Sequence, residues 1–434
     1  MCVLKKALYI FVLVWVAVLS AWGGVRDDFK ANPWLSANNY RAYPDSDLPS
    51  LTPPPAGYEP FFINHYGRHG SRWLINGRKY EFPLGQLEKA DRVGKLTPRG
   101  REVLDILRRV TEASSGRLGE LSDIGHEQHQ GIARRMFANF PQVFSGDAEL
   151  EARSTVVIRC ILSMQEEVDM LYSLNPQLRV TTDASQAAMY YMNYTDPVAR
   201  QLHKAARDQV TPYRDKWIDT KHLLKTLFND QRWARDSVED PVTFAMDLFE
   251  VAGNMQSHHE FERVNLYDLF TTDDLYGIWR YSNAWWYIQS GENPFTRYRV
   301  DYMEANLVRN LIEDADKWIS QSRHGASLRF GHESVVLPLC CLMGINGADY
   351  HTDNLETLDR YWQTYKIFPM AANVQLVYFN KPDSDDVLLL VLLNEHEATL
   401  PVPTDVAPFY HWNDVRAYLL DKLSRQPDIP LGIQ

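Results

Sequence analysis

Two kinds of apolar pattern alternate along the chain and predict its secondary structure. Apolar residues at helical spacing predict helices that begin after Thr97 and Asp123 and helices that cover 157–171 and 302–319. Short runs of apolar or alternating residues predict strands, and they lie at 59–63, 148–155, 326–330, 374–378 and 387–393. The last two strands flank a polar loop at 382–385, which is the pattern of an antiparallel hairpin.

These elements predict an α/β fold with a mixed, mostly parallel central sheet flanked by helices. The middle of the chain is rich in Trp, Tyr, Asp and Arg and has few β-branched runs, so it predicts helices joined by polar loops. We therefore expect an α/β core at 24–185 and 319–434, with an inserted all-helical domain at 186–318. A chain of 434 residues, 45% of them hydrophobic, is long enough for two domains.

The first residues differ from the rest of the chain. Two lysines precede an apolar stretch at 7–22, and the small residues Gly23 and Gly24 follow. This order is typical of a signal peptide, here 1–23, with cleavage between the two glycines. A transmembrane anchor is the alternative, and the short length of the stretch argues against it. We expect an exported protein, in the bacterial periplasm, on the outer surface or secreted, with no membrane attachment after cleavage.

Charge and cysteine content exclude some classes of function. The chain has 45 basic and 56 acidic residues, a formal net charge of −11. Proteins that bind nucleic acid generally show a basic surplus, so we expect no nucleic-acid partner. The cysteines outside the leader are Cys160 and the adjacent Cys340 and Cys341, which do not make a disulfide framework. The oligomeric state stays open at this point.

The run from Asn64 to Arg72 carries the clearest sign of chemistry. It places His69 between two arginines, Arg68 and Arg72, on a short turn that contains glycine and follows the predicted strand at 59–63. Arginine stays charged and presents planar donor forks that match phosphate oxygens. The carboxyl end of a buried strand is where open α/β sheets bind ligands. The turn therefore predicts an active site for phosphoryl transfer through His69.

Three motifs in this order resemble the histidine acid phosphatases, in the branch that includes phytases and multiple inositol polyphosphate phosphatases. Residues 68–72 (RHGSR) look like the RHGxRxP signature, and residues 153–159 (RSTVVIR) resemble the RSTxxxR segment. His332 and Glu333, followed by Leu-Pro-Leu at 337–339, look like the last family motif. That motif is His-Asp in most members and His-Ala-Glu in the inositol polyphosphate branch. The resemblance implies a metal-free phosphomonoester hydrolase with a histidine nucleophile.

Two positions depart from the family pattern. Leu74 stands where the signature has proline, which affects the rigidity of the turn more than its chemistry. Glu333 directly follows His332, where most relatives carry Asp. An alignment to His-Ala-Glu would put Ser334 in the acid position, and a serine hydroxyl does not protonate a leaving group. We therefore assign the acid to Glu333, whose extra methylene adds about 1.5 Å of reach.

The chemistry of these residues also follows from charge. We expect the phosphate oxygens to be held by groups that carry positive charge or donate an N–H, namely Arg68, Arg72, Arg159 and His332. The same positive field disfavours protonation of His69 and keeps its imidazole nucleophilic. We expect His69 to attack phosphorus and Glu333 to protonate the leaving alcohol. No cofactor and no metal is expected, because the arginines supply the positive charge.

Other histidines are predicted to have no part in this chemistry. Residues 323–325 repeat the Arg-His-Gly tripeptide but follow a predicted helix rather than a strand, so Gly325 is interpreted as a helix C-cap. His126 and His129 are spaced one residue short of a helical HExxH zinc motif. The adjacent pair at 258–259 has no nearby cysteines and no paired acid cluster. Both pairs are predicted to be surface residues.

The substrate is predicted to be a small phosphomonoester. Arg78 and Lys79 can extend a basic pocket toward several phosphates, as can Arg134 and Arg135, and solvated surface charge is the alternative for each. Phytate or a lower inositol phosphate is the first hypothesis. A broad-range acid phosphatase for small phosphomonoesters is the alternative, and a catalytically weak phosphate-ligand-binding protein is the second alternative.

Overall fold

The computed structural model describes residues 24–44, 48–321 and 323–431. The predicted signal peptide at 1–23 lies outside the described residues, so its cleavage stays a prediction. Among the helices described, none has both the length and the apolar character needed to cross a bilayer.

One sheet of eight strands forms the centre of the fold. Its spatial order is β3-β2-β4-β1-β5-β6-β7, and β8 also pairs with β6. The strands have the following bounds: β1 Glu59–Arg68, β2 Glu149–Ser154, β3 Arg179–Asp183, β4 Gly325–Gly331, β5 Asn373–Asn380, β6 Leu388–Leu393, β7 His396–Glu397 and β8 Tyr410–His411.

Strand direction makes this a mixed, mostly parallel sheet. β3, β2, β4 and β1 run parallel to one another, and β5 is antiparallel to both β1 and β6. All of β4 is buried, and so is all of β1 except Glu59, as expected for strands that are covered on both faces. The predicted strands, the hairpin of β5 and β6, and the α/β fold class are confirmed.

Helices cover the sheet on both sides. Thr97 caps the helix at 98–114 by accepting a hydrogen bond from the backbone N–H of Gly100 (2.9 Å), as its position before Pro98 predicts. The helices have the following bounds: α1 Val25–Ala31, α2 Arg78–Arg92, α3 Pro98–Ser114, α4 Asp123–Asn139, α5 Ile158–Leu174, α6 Met189–Met192, α7 Pro197–Val210, α8 Tyr213–Trp217, α9 Lys221–Leu227, α10 Gln231–Ser237, α11 Pro241–Asn254, α12 Thr272–Ser290, α13 Ala305–Ser320, α14 Glu333–Met343 and α15 Trp412–Ser424.

In the described chain between β3 and β4, helices and short 3₁₀ turns are joined by loops. The helices of this segment form one layer, and the layer shares a hydrophobic core with α2 and α3, which come before β2 in the chain. Leu87 of α2 and Leu104 of α3 belong to one buried cluster with Phe244 of α11 and Trp279 of α12. Packing therefore joins α2 and α3 to the helical layer, and the division into a core and an insert at 186–318 stays a prediction.

Three interpretations of the sequence are wrong in the structure. Gly325 does not cap a helix, because α13 ends at Ser320 and Gly325 opens β4 with a φ of +145°. A Cβ at Gly325 would lie 2.0 Å from the carbonyl oxygen of Glu149 in the adjacent strand, so close strand pairing selects glycine there. His129 and His258 are buried rather than on the surface. His129 Nδ1 lies 2.8 Å from Glu167 Oε1.

Candidate active site

The sheet brings the first and last sequence motifs together. Arg68 ends β1 and Gly331 ends β4, and these two residues face each other in the parallel pair β1–β4. The next residues, His69 on one strand and His332 on the other, therefore leave the sheet at the same edge. Their ring centroids lie 5.8 Å apart. The site thus occupies the carboxyl ends of parallel strands, as predicted.

Arg68 is held rigidly on one edge of its guanidinium group. Its side chain is fully buried, and Nη1 donates hydrogen bonds to the carbonyl oxygens of Asn39 (2.6 Å), Phe368 (3.2 Å) and Pro369 (3.0 Å). Nη2 has no hydrogen-bond partner among the described residues. Burial lowers the pKa of Arg68 to about 10, against the opposing effect of Glu333. The group stays cationic and keeps one donor for a ligand.

His69 has the tautomer that a nucleophile needs. Nδ1 lies 2.9 Å from the carbonyl oxygen of Gly70, so it donates its proton there and leaves the lone pair on Nε2. Nε2 is buried without a hydrogen bond in the described structure. Burial, together with the charges of Arg68 and Arg72, holds the pKa of His69 well below its usual value of 6.5. The imidazole is therefore neutral and its free nitrogen faces the site.

Glu333, the first residue of α14, faces both His69 and the arginines. Its Oε2 lies 3.1 Å from Arg68 Nε and 3.6 Å from His69 Nε2, and Oε1 lies 3.9 Å from Arg72 Nη2. Burial raises the pKa of Glu333, but the positive charges of Arg68 and Arg72 outweigh burial and hold it well below its usual value. The carboxylate is therefore ionised and is the anionic partner of the arginines.

The other predicted phosphate ligands surround the same point. Arg72 is 2% exposed, and its Nη1 donates to the carbonyl oxygen of Trp73 (2.9 Å). Burial lowers the pKa of Arg159, and the positive charge of Arg72 lowers it further. His332 Nε2 lies 3.3 Å from Thr155 Oγ1. Burial lowers the pKa of His332 to about 4, so its ring is neutral and can donate one N–H.

Backbone contacts fix the turn that carries His69. The N–H of Gly70 donates to Ser163 Oγ (3.1 Å), and the N–H of Ser71 donates to Gln128 Oε1 (2.9 Å). A Cβ on Gly70 would lie 2.4 Å from the carbonyl oxygen of Gly125, and a Cβ on Gly125 would lie 2.2 Å from the carbonyl oxygen of Ser71. The turn and the first turn of α4 therefore touch backbone to backbone, which requires both glycines.

Lys79 is held in ion pairs and Arg78 is exposed to solvent. Lys79 Nζ forms ion pairs with Asp247 Oδ1 (2.7 Å) and Glu250 Oε1 (3.0 Å) of α11. Arg78 is exposed, and its guanidinium carbon lies 5.3 Å from the ring centroid of Phe82. A role for either residue in a wider substrate pocket stays a prediction.

The arginines decide which kind of ligand the site attracts. His69, His332 and Glu333 each offer one ligand atom, and these atoms lie within 4.8 Å of one another, a spacing that a metal ion could bridge. Two guanidinium groups, of Arg68 and Arg72, lie within 4 Å of the same carboxylate. Their charge opposes a cation at this point and favours an anion such as phosphate.

Comparisons with known proteins agree with this geometry. No family model matches the chain, and no curated protein matches it in sequence. The multiple inositol polyphosphate phosphatase of Bifidobacterium longum matches in structure with a TM-score of 0.69 and 17% identity, over 89% of this chain and 97% of that chain. The phytase from D. castellii matches with a TM-score of 0.62 and 13% identity, over 90% and 86% of the two chains. This chain has the fold of these phosphatases.

The shared fold confirms the architecture that the three sequence motifs imply. At 17% identity the match covers 89% of this chain and 97% of the other. The motifs were therefore a better guide to the fold than overall sequence similarity. The residues around them that sequence reasoning missed, such as Gly125, Gln128 and Ser163, come from elements whose pairing with the turn leaves no local signal.

Proposed function

We propose that this protein is a phosphomonoester hydrolase that acts through a phosphohistidine on His69. One observation carries the proposal: the Nε2 of a neutral, buried His69 has no hydrogen-bond partner among the described residues, and the space beside it is shared with a carboxylate 3.6 Å away that two arginines also contact. A phosphoryl group in that space meets a nucleophile, a proton donor and positive charge together.

In the first step, the Nε2 lone pair of His69 forms a bond to phosphorus as the ester P–O bond breaks. The bonding pair moves to the leaving oxygen, which takes a proton from Glu333 and departs as an alcohol. Arg68, Arg72 and Arg159 hold the phosphoryl oxygens during the transfer. The ester enters as its monoanion, because the ionised Glu333 needs this proton before it can give one to the leaving group.

In the second step, water attacks the phosphohistidine. Glu333, now a carboxylate, takes a proton from the water as the oxygen bonds to phosphorus. The P–N bond breaks, its electron pair returns to His69, and inorganic phosphate leaves. Because phosphate monoesters lose their second proton near pH 6, we expect kcat/KM to be highest at acidic pH.

For the substrate we propose inositol phosphates. The support is a neighbour in fold, the Bifidobacterium longum enzyme, whose structure was solved in complex with inositol hexasulfate. A broad-range phosphatase is the alternative and predicts similar rates for unrelated phosphomonoesters. A protein that binds phosphate ligands with little turnover is the second alternative.

The test is phosphate release from phytate, inositol monophosphate and p-nitrophenyl phosphate, between pH 4 and pH 7 with EDTA present. We expect turnover by the wild type and its loss in His69→Ala. His324→Ala is the matched control, because His324 lies in a second Arg-His-Gly tripeptide and its ring is hydrogen-bonded to the carbonyl oxygen of Ser145 (3.0 Å). Full activity of His69→Ala would refute the assignment of the nucleophile.

We also propose that the enzyme is exported. The order of residue types at 1–23, in which basic residues come first, then an apolar stretch and then a small residue, supports this proposal. Mass spectrometry of the protein recovered from the periplasm or the medium should give an N-terminus at Gly24. Recovery of the uncleaved chain in the membrane fraction would favour the anchor.

A further inference from the structure

A cavity of about 490 Å³ lies next to the phosphate ligands. Its volume is in the range of small-molecule sites. Aromatic side chains of α11 and α12 form one wall, and residues that precede and follow β1 form the other. Tyr281, Trp285 and Trp286 lie on the first wall and are each partly exposed to it.

Two contacts connect this cavity to the arginines. The ring of Tyr40, which lines the cavity, lies 5.7 Å from the guanidinium carbon of Arg72. Asn39, which also lines it, accepts the 2.6 Å hydrogen bond from Arg68 Nη1. Asn39 and Tyr40 therefore line the cavity and also contact the two arginines of the phosphate site. A leaving group attached to a bound phosphoryl group has this cavity beside it.

The described residues that line the cavity include no unpaired positive charge. Lys79 and Glu250 are the charged residues among those described as lining it, and they are 3.0 Å from each other in an ion pair. Asp247 takes a second hydrogen bond from the same ammonium group (2.7 Å). A ring that carries further phosphates would therefore bring several negative charges to a surface with no free cation, at a high cost in desolvation.

Asn38 offers a polar group in the same wall. The residue is 3% exposed, its side-chain nitrogen donates to Ser282 Oγ (3.2 Å), and its side-chain oxygen has no hydrogen-bond partner among the described residues. Its backbone is also unusual, with a φ of +58° and a ψ of −118°. Such strain is often found at ligand sites. A buried acceptor beside aromatic faces suits a ring hydroxyl.

We propose that this cavity binds the leaving group and that it selects an uncharged ring bearing hydroxyl groups. Resting on the proposed function, this makes the preferred substrates inositol or sugar monophosphates, and phytate a poor one. Trp285 and Trp286 pack against the ring, and Asn38 accepts a hydrogen bond from one of its hydroxyl groups.

Two variants test the proposal against a substrate without a ring. Asn38→Gly removes the carboxamide and suits the positive φ, so the fold is kept. Trp285→Ala removes one aromatic face. We expect each variant to lower kcat/KM for inositol monophosphate about tenfold, the size of one hydrogen bond or ring contact, and to leave kcat/KM for glycerol 3-phosphate within about twofold. Trp233→Ala, whose ring packs on Phe228 outside the cavity, is the matched control.

Wild-type kcat/KM is expected to be at least tenfold higher for inositol monophosphate than for phytate. A preference for phytate, or an equal loss on both substrates in the two variants, would overturn the proposal. Calorimetric titration of His69→Ala protein with inositol monophosphate separates this result from a failure of the proposed function. If the wild type shows no turnover while His69→Ala binds inositol monophosphate in a way that depends on Asn38, the cavity proposal is supported and the hydrolase proposal is refuted. Absence of such binding would refute the cavity.

Discussion

Replacing Glu333 by Gln should slow turnover and strengthen product binding at the same time. Glutamine keeps the size of the side chain but has no proton to give to the leaving alcohol. Loss of a general acid lowers rates by about 10²- to 10⁴-fold, or about 3 to 5 kcal/mol of activation free energy. The loss should be smaller for p-nitrophenyl phosphate, because p-nitrophenolate leaves without a proton.

The effect on phosphate binding follows from the ion pair between Glu333 and Arg68. The Glu333 carboxylate lies 3.1 Å from Arg68 Nε, a distance at which two unit charges interact by about 5 kcal/mol at an effective dielectric constant of 20. Phosphate must displace this partner, so its removal frees Arg68. Desolvation and the amide of glutamine cancel most of that energy. We expect the inhibition constant of inorganic phosphate to fall by at least tenfold, which is about 1.4 kcal/mol.

Steady-state kinetics with both substrates, with phosphate as the inhibitor, measures the two effects. Ser334→Ala is the matched control, because Ser334 is exposed on the next position of α14 and is the acid position in the alternative alignment. It should leave kcat within about twofold. A Glu333→Gln variant with unchanged kcat for inositol monophosphate, or with weaker phosphate inhibition, would refute the reasoning.

Three further predictions concern residues at and away from the site. Burial raises the pKa of Asp301 to about 7, so stability that is present below its ordinary pKa is lost as the pH rises toward 7. In urea unfolding, Asp301→Asn should stabilise the protein by up to about 4 kcal/mol at pH 8 and by little at pH 4. A difference that does not depend on pH would contradict this. Gly125→Ala should cost about 1 to 3 kcal/mol of stability and lower kcat, whereas Gly85→Ala, in α2, meets no atom within 4 Å and should do neither. Arg159→Ala should lower kcat/KM about 100-fold, whereas Arg153→Ala should not, since that arginine is ion-paired with its own strand (3.2 Å); equal losses would contradict the assignment.

The sequence was sufficient to predict the elements that carry the chemistry. Arg68 and His69 follow a run of apolar residues, and His332 and Glu333 follow another, so each pair was predicted at the end of a strand. The parallel pairing of β1 with β4 then places the two pairs side by side. Local pattern and the known geometry of open α/β sheets are enough for this step.

The hydrogen bonds and ion pairs that hold these residues in place were not predictable, because the partners come from distant parts of the chain. Arg68 donates to carbonyl oxygens at Asn39 and Pro369, and the latter is 301 positions away in sequence. The charge of Lys79 suggested a basic pocket, but its partner Asp247 is 168 positions away. Backbone carbonyls and single acids leave no motif in a sequence. Only the packed structure shows which charges are free and which are paired.

The most direct test of the account is to trap the phosphorylated enzyme. Wild-type protein mixed with p-nitrophenyl phosphate is quenched in alkali, which preserves phosphohistidine, and the digested peptides are analysed by mass spectrometry. The account predicts one phosphoryl group on the peptide that contains His69, lost in His69→Ala and kept in His324→Ala. A turning-over enzyme without that phosphoryl group, or with it on another residue, would contradict the account.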